Sequence, residues 1–167
     1  RSFRLSPNLV CTDYRNMVNG QQILRAVKPE ARIIINGNEY NVGGVYGQKE
    51  NAYLVTQWLE KFTAGPADFA FVGFTNEAII PFINWKTSFW TSDKKQATGR
   101  HVSFIYKSSL PELAALKVIV HYEMYDGVPV VAKWLTLVNR GAGKVTIDRV
   151  TTELIAVVER ESDVGGV

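Results

Sequence analysis

Two histidines and a scatter of carboxylates are the residues of this 167-residue chain best suited to chemistry. His121 and Glu123 lie two residues apart, so on a strand both side chains leave the same face. Such a pair can exchange a proton as acid and base. The plainer reading, which we favour, is a partly exposed sheet face carrying mixed polar side chains. His101 is the other histidine, and no His-x-His or His-Glu-x-x-His spacing occurs. A zinc centre takes three or four suitable ligands, so no metal site is expected. Glycoside cleavage uses two carboxylates flanking the bond, but no pair here is marked by its neighbours. Asp126 reads as a turn former, and Asp148 and Glu153 as solvated. The chain has no Gly-x-Gly-x-x-Gly, no P-loop and no Cys-x-x-Cys. Gly43, Gly44 and Gly47 follow a strand without opening an obvious helix, so they do not read as a phosphate cradle. No catalytic residue, metal or cofactor is expected.

Aromatic residues make the one constellation with weight. Sugars present apolar C–H faces that stack on Trp and Tyr, while amides and charges take their hydroxyls. Asn84, Trp85 and Lys86, followed by Phe89 and Trp90, supply those types in a stretch from 74 to 99 that reads as a long irregular loop. Long loops in compact domains tend to be functional or to meet a partner. Asn84, Trp85, Lys86, Trp90 and, on a neighbouring segment, Trp58 are therefore the candidate carbohydrate-binding residues. The competing reading is that these rings plug one end of the fold or pack on another domain. Trp134 reads as core or inter-sheet packing.

Composition narrows the partners. The net charge is +3, and the densest basic patch is Lys94, Lys95 and Arg100, with no basic stripe. Nucleic acid is not an expected partner. No run of 18 apolar residues exists, so no transmembrane helix is expected. The single cysteine, Cys11, cannot form an intramolecular disulfide and reads as a small buried hydrophobe. A periplasmic or extracellular bacterial domain of this size can do without a disulfide. Both ends read as excised: residues 1–160 as one domain, 161–167 as linker or tail.

Positioning falls to strands. Leu116 to Tyr125 alternates, with Val118, Val120 and Tyr122 on one face and Ile119, His121 and Glu123 on the other. Asp126-Gly127 is a tight-turn pair, and Pro129 to Val138 is a second β-rich run. The run from 144 to 158 reads as a third, broken or bulged strand completing an antiparallel meander. Short strands are expected near 3–5, 9–13, 32–35, 39–42, 69–74 and 101–106, with Asn36-Gly37-Asn38 as a hairpin turn. Residues 23–27 read as strand or a single helical turn, and Asn51 to Phe62 as one short helix. The expected fold is mostly β, a two-sheet antiparallel β-sandwich with one short helix and a long aromatic loop.

The segment Val118-Ile119-Val120-His121-Tyr122-Glu123-Met124-Tyr125-Asp126-Gly127-Val128-Pro129, continuing through Lys133-Trp134-Leu135 to Asn139-Arg140-Gly141, carries a family resemblance. It resembles the hairpin in the N-terminal β-domains of α-galactosidase-like hydrolases, glycoside hydrolase family 36 and relatives. The strong likeness spans about forty residues, 116 to 158; the rest resembles such domains only in layout. It implies a supersandwich of the galactose-mutarotase-like kind. It also implies a catalytic (β/α)₈ barrel elsewhere in the same parent chain, where the two catalytic aspartates belong. The expectation is a non-catalytic accessory domain of a secreted glycoside hydrolase, supporting the barrel and lining its sugar site. Its partners would be carbohydrate and that barrel, with oligomer contacts open. An independent carbohydrate-binding module, a mutarotase- or epimerase-like enzyme and a purely structural interaction domain are the alternatives.

Overall fold

In the computed structural model, residues 1–79 and 98–159 are described. Asn84, Trp85, Lys86 and Trp90 fall outside them, as does the expected 161–167 tail. The chain is mostly β. Its strands are β1 (Ser2–Arg4), β2 (Val10–Asp13), β3 (Leu24–Ala26), β4 (Ala31–Ile35), β5 (Asn38–Val42), β6 (Ala70–Ala78), β7 (Gly99–Lys107), β8 (Leu116–Tyr125), β9 (Val128–Asn139), β10 (Ile147–Thr151) and β11 (Ala156–Val157). All the ladders are antiparallel. The largest sheet runs β6-β7-β8-β9; opposite it lies β10-β4-β5, with the pairs β1-β2 and β11-β3 beside them.

The period-2 pattern of β8 explains the sandwich. Val118, Val120 and Tyr122 are buried and meet Phe104 and Tyr106 of β7 and Leu135 and Leu137 of β9 on one face. Ala31, Ile33 and Ile35 of β4 complete the core from the other layer. Phe3 closes it, its ring 4.9 Å from Phe104 and 5.7 Å from Tyr122. A smaller cluster of Val10, Val27 and Phe62 lies alongside.

Turn chemistry sets two registers. Asn36 and Gly37 both have positive φ, 49° and 79°, and Ile35 faces Asn38. This is the two-residue hairpin that Asn-Gly favours. At the β8–β9 turn Gly127 has φ 73°, and between the pairs Tyr125–Val128 and Met124–Val131 the register slips, leaving Pro129 and Val130 of β9 without an opposite residue, an irregularity next to the turn.

Three expectations are corrected. The β8–β9 hairpin forms, but the 144–158 run does not complete a meander with it. Its residues divide between β10, paired with β4, and β11, paired with β3. The third neighbour of the hairpin is β7. After β9 the chain leaves the large sheet through residues 140–146 and crosses to the opposite layer. The helix expected over 51–62 shrinks to a 3-10 turn, Thr56–Lys61, with no side-chain N-cap. β-branched Val55 and Thr56 disfavour an α-helical start, and Leu59 and Trp58 need only one face against the small cluster. The irregular stretch starts later than 74, because β6 runs on to Ala78, paired with Arg100. Residues 23–27 resolve as strand β3.

One charged network crosses the sandwich. Glu30, on the β3–β4 connection, is 3% exposed. Its carboxylate accepts a hydrogen bond from the Tyr122 hydroxyl and lies 3.2 Å from Lys133 Nζ. Lys133 Nζ also donates to the Glu30 carbonyl at 2.7 Å and pairs with Glu153 at 3.2 Å. Arg1 reaches Tyr122 OH at 3.0 Å and Glu153 at 3.3 Å. Glu153, expected in solvent, is thus half-buried and doubly paired: charges inside the fold need partners, and the end of the 147–153 run supplies one. Burial and the adjacent Glu30 charge push the Tyr122 hydroxyl far above its ordinary range, so it stays a donor. Removing one partner of a buried pair leaves an uncompensated charge. Lys133→Ala is therefore expected to cost about 3–5 kcal/mol, read from denaturant midpoints at pH 7. A loss below about 1 kcal/mol would show that Glu30 does not depend on Lys133.

Candidate functional site

A cleft of about 410 Å³ opens where the β3–β4 connection meets the loop after β5. That size lies within the roughly 300–1,000 Å³ of small-ligand sites. Its floor needs glycine. Gly43 has φ 65° and a Cβ there would fall 2.7 Å from the Leu9 carbonyl oxygen; Gly44 has φ 85° and its Cβ would fall 2.8 Å from Pro29 Cα. Gly43 and Gly44 are thus close-approach positions.

A ring of hydrogen bonds forms one wall. Arg32 Nε donates to Asn41 Oδ1 at 3.2 Å. Asn41 Nδ2 donates to the Tyr46 oxygen at 2.9 Å. The Tyr46 hydroxyl donates to Asp68 Oδ2 at 2.7 Å, and Asp68 Oδ1 accepts the Asn41 backbone N–H at 3.1 Å. Partial burial and then the bond to Asp68 raise the Tyr46 hydroxyl above its usual pKa. Two further residues each carry a buried atom without a partner. Gln48 spends its amide nitrogen on the Ala52 and Lys49 carbonyls, at 3.2 and 3.4 Å, and its Oε1 is left without a donor. Arg25 pairs with Glu159 through one terminal nitrogen at 2.9 Å, and its Nε is left without an acceptor. Both residues line the cleft. Of the expected sugar-binding residues, Trp58 is the one described. It packs on the Val10–Val27–Phe62 cluster, and Lys49, which lines the cleft, holds its ammonium 5.4 Å from the Trp58 ring centre.

The histidines occupy a different place. They sit on the outer face of the large sheet, where His121 faces Ser103 on β7 and Trp134 on β9. His101 Nε2 lies 3.0 Å from His121 Nδ1, and Ser103 Oγ lies 3.2 and 3.0 Å from those two nitrogens. His121 Nε2 reaches Thr136 Oγ1 at 3.0 Å. The Trp134 ring lies parallel to the His121 ring, 8° apart with centres at 4.9 Å. Trp134, expected as core or inter-sheet packing, is on the outer face instead: Leu135 and Leu137 take the inward positions, and alternation sends Trp134 the other way. Glu123, expected on a partly exposed face, is 3% exposed. It accepts from Tyr125 OH at 2.8 Å, while its Oε1 has no partner. His121 contacts His101, not Glu123. The pairing was hidden in the sequence because it joins residues twenty apart across two strands.

Cys11 is buried as expected. Burial and the Glu30 charge raise its thiol to about 11, so it stays protonated and unreactive at neutral pH. Among the described residues no group of three or more His, Cys, Asp or Glu converges, and no helix is long and apolar enough to cross a membrane. Compared with protein-family models, curated proteins and solved structures, the chain matches none.

Burial and the neighbouring His101 lower the pKa of His121 from 6.5 to about 4. Above pH 6.5 both folded and unfolded chains hold it neutral. Between 6.5 and 4 only the unfolded chain takes up the proton, so stability falls with pH across that window. Thermal unfolding at pH 7 and pH 5 is expected to show this drop in the native chain and a smaller one in His121→Gln. Equal drops in both chains would assign the acid sensitivity elsewhere.

Proposed function

We propose that this chain is a non-catalytic β-sandwich accessory domain of a secreted bacterial glycoside hydrolase of the α-galactosidase type, and that it holds carbohydrate in the cleft beneath Tyr46. The observation that supports the sugar contact is a cleft of ligand size whose lining includes Tyr46, Asn41, Asp68, Gln48 and Arg25. Sugar hydroxyls, each donating one hydrogen and accepting two, suit amide, carboxylate and guanidinium groups of this kind. The Tyr46 ring and the planar polar groups of Asn41 and Asp68 add the other contacts that sugars use.

The parent enzyme is argued from the likeness of residues 116–158 to the hairpin of such domains, and from the sandwich in which that hairpin sits. In this reading the charge network of Arg1, Glu30, Lys133 and Glu153 is structural. Its members pair with one another inside the fold, so it holds the layers together.

Titrating the chain with galactose and α-galactosides, followed by amide and side-chain NMR shifts, tests the sugar contact. Millimolar binding is expected, with shifts centred on Gln48, Tyr46 and Arg25. Gln48→Ala is expected to weaken it by about five- to tenfold, the worth of one neutral hydrogen bond. No shifts in this cleft at saturating sugar would sink the assignment. Shifts confined to Trp85 and Trp90 would move the contact to the 80–97 segment.

A further inference from the structure

The chain holds two Asn-Gly pairs, Asn19-Gly20 and Asn36-Gly37. In such a pair the glycine nitrogen can attack the asparagine side-chain carbon, because no glycine side chain hinders it. Two obstacles hold the reaction back. The amide nitrogen must give up its proton, and the attacked carbonyl oxygen must become an oxyanion. At the β4–β5 turn the fold sets a group against each. Gly37 N donates to Asp148 Oδ2 at 2.8 Å, inside the roughly 2.6–3.2 Å reach of a general base. Asn36 Oδ1 accepts the Thr146 backbone N–H at 3.0 Å, a distance at which a backbone donor stabilises an oxyanion. Asn36 and Gly37 are exposed, so water reaches the turn and ammonia can depart. We propose that Asn36-Gly37 is a self-modification site, in which Asp148 takes the Gly37 proton and the Thr146 N–H holds the oxyanion, converting Asn36 through a cyclic imide to aspartate and isoaspartate.

The step balances without an oxidant or cofactor. A bond forms between Gly37 N and Asn36 Cγ. The Gly37 proton passes to the Asp148 carboxylate and from it to Asn36 Nδ2. The Cγ–Nδ2 bond then breaks and ammonia leaves. One water opens the imide ring: hydrolysis at Cγ gives aspartate, and hydrolysis at the main-chain carbonyl gives isoaspartate.

The second pair isolates the role of the base. Asn19 Oδ1 also accepts a backbone N–H, from Gln21 at 3.0 Å. Gly20 N, however, donates to the Asn16 carbonyl oxygen at 2.8 Å, and an uncharged amide oxygen is a far weaker base than a carboxylate. Asp148 lies on β10 and Thr146 just before it, so the Asn36 site is complete only when β10 pairs with β4. The product bears on the fold. Ile35 faces Asn38 across this turn, and Ile33 and Ile35 belong to the core. Isoaspartate adds one carbon to the backbone there and sets a new carboxylate beside Asp148, which loosens the hairpin.

Ageing the folded chain at pH 7.4 and 37 °C, followed by mass spectrometry of its tryptic peptides, tests the site. The two asparagines fall in separate peptides, 16–25 and 33–49, and a sample digested before ageing sets the background. Peptide 33–49 is expected to gain the mass of NH₂ replaced by OH, in aspartate and isoaspartate forms, sooner than peptide 16–25. Asp148→Asn is expected to slow the conversion at Asn36 by about tenfold or more and to leave that at Asn19 unchanged. A merely structural Asp148 gives the opposite sign, because losing its bond frees the turn and quickens ring closure. Conversion at Asn36 no faster than at Asn19 would overturn the proposal, as would a rate at Asn36 that Asp148→Asn leaves unchanged or raises.

Discussion

A buried carboxylate governs how this fold closes. Glu30 lies between the layers of the sandwich, where a charge is tolerated only with partners. Its partners come from distant parts of the chain: Tyr122 from β8, Lys133 from β9, and through Lys133 the Glu153 carboxylate and Arg1. Meeting that one demand brings the first residue, the β3–β4 connection, the central hairpin and the segment after β10 to one place. Apolar burial drives the layers together but is non-directional. The network adds direction, because each charge has one geometry in which it is satisfied.

The division of β8 into two faces follows from this. Its inner face gives Val118 and Val120 to the core and Tyr122 to the network. Its outer face gives His121 and Glu123. A single strand thus serves both the part of the fold that holds the layers and the outer cluster in which His121 meets His101, Ser103 and Thr136. A one-residue slip would exchange the faces. It would put imidazole against the apolar core and strip Glu30 of its hydroxyl donor. The register irregularity lies at the turn end of the hairpin, between Met124 and Tyr125, outside the stretch from Val118 to Tyr122 where the register matters.

The cleft follows a different logic. It lies where strand pairing ends and the chain must turn sharply, and glycines at positive φ allow close approach to Leu9 and Pro29. Loop backbone there uses up the amide of Gln48 and leaves its oxygen without a partner.

Much of the fold was legible in the residues. The alternation of Leu116–Tyr125, the Asn36-Gly37 and Asp126-Gly127 turns and the buried Cys11 all follow from local periods and turn chemistry, which depend on neighbours a few residues away. The sequence also named His101 and His121 as the only imidazoles. It did not reveal that they touch, that Trp134 faces outward against them, or that Glu153 is drawn inside. Nor did it show that the 144–158 run leaves the meander for β4 and β3. Each of those depends on which strands become neighbours and in what register, and two-residue periodicity carries no record of a strand's partner. Local pattern determined the strands and turns; long-range pairing, steered by the need to neutralise Glu30, decided which side chains meet.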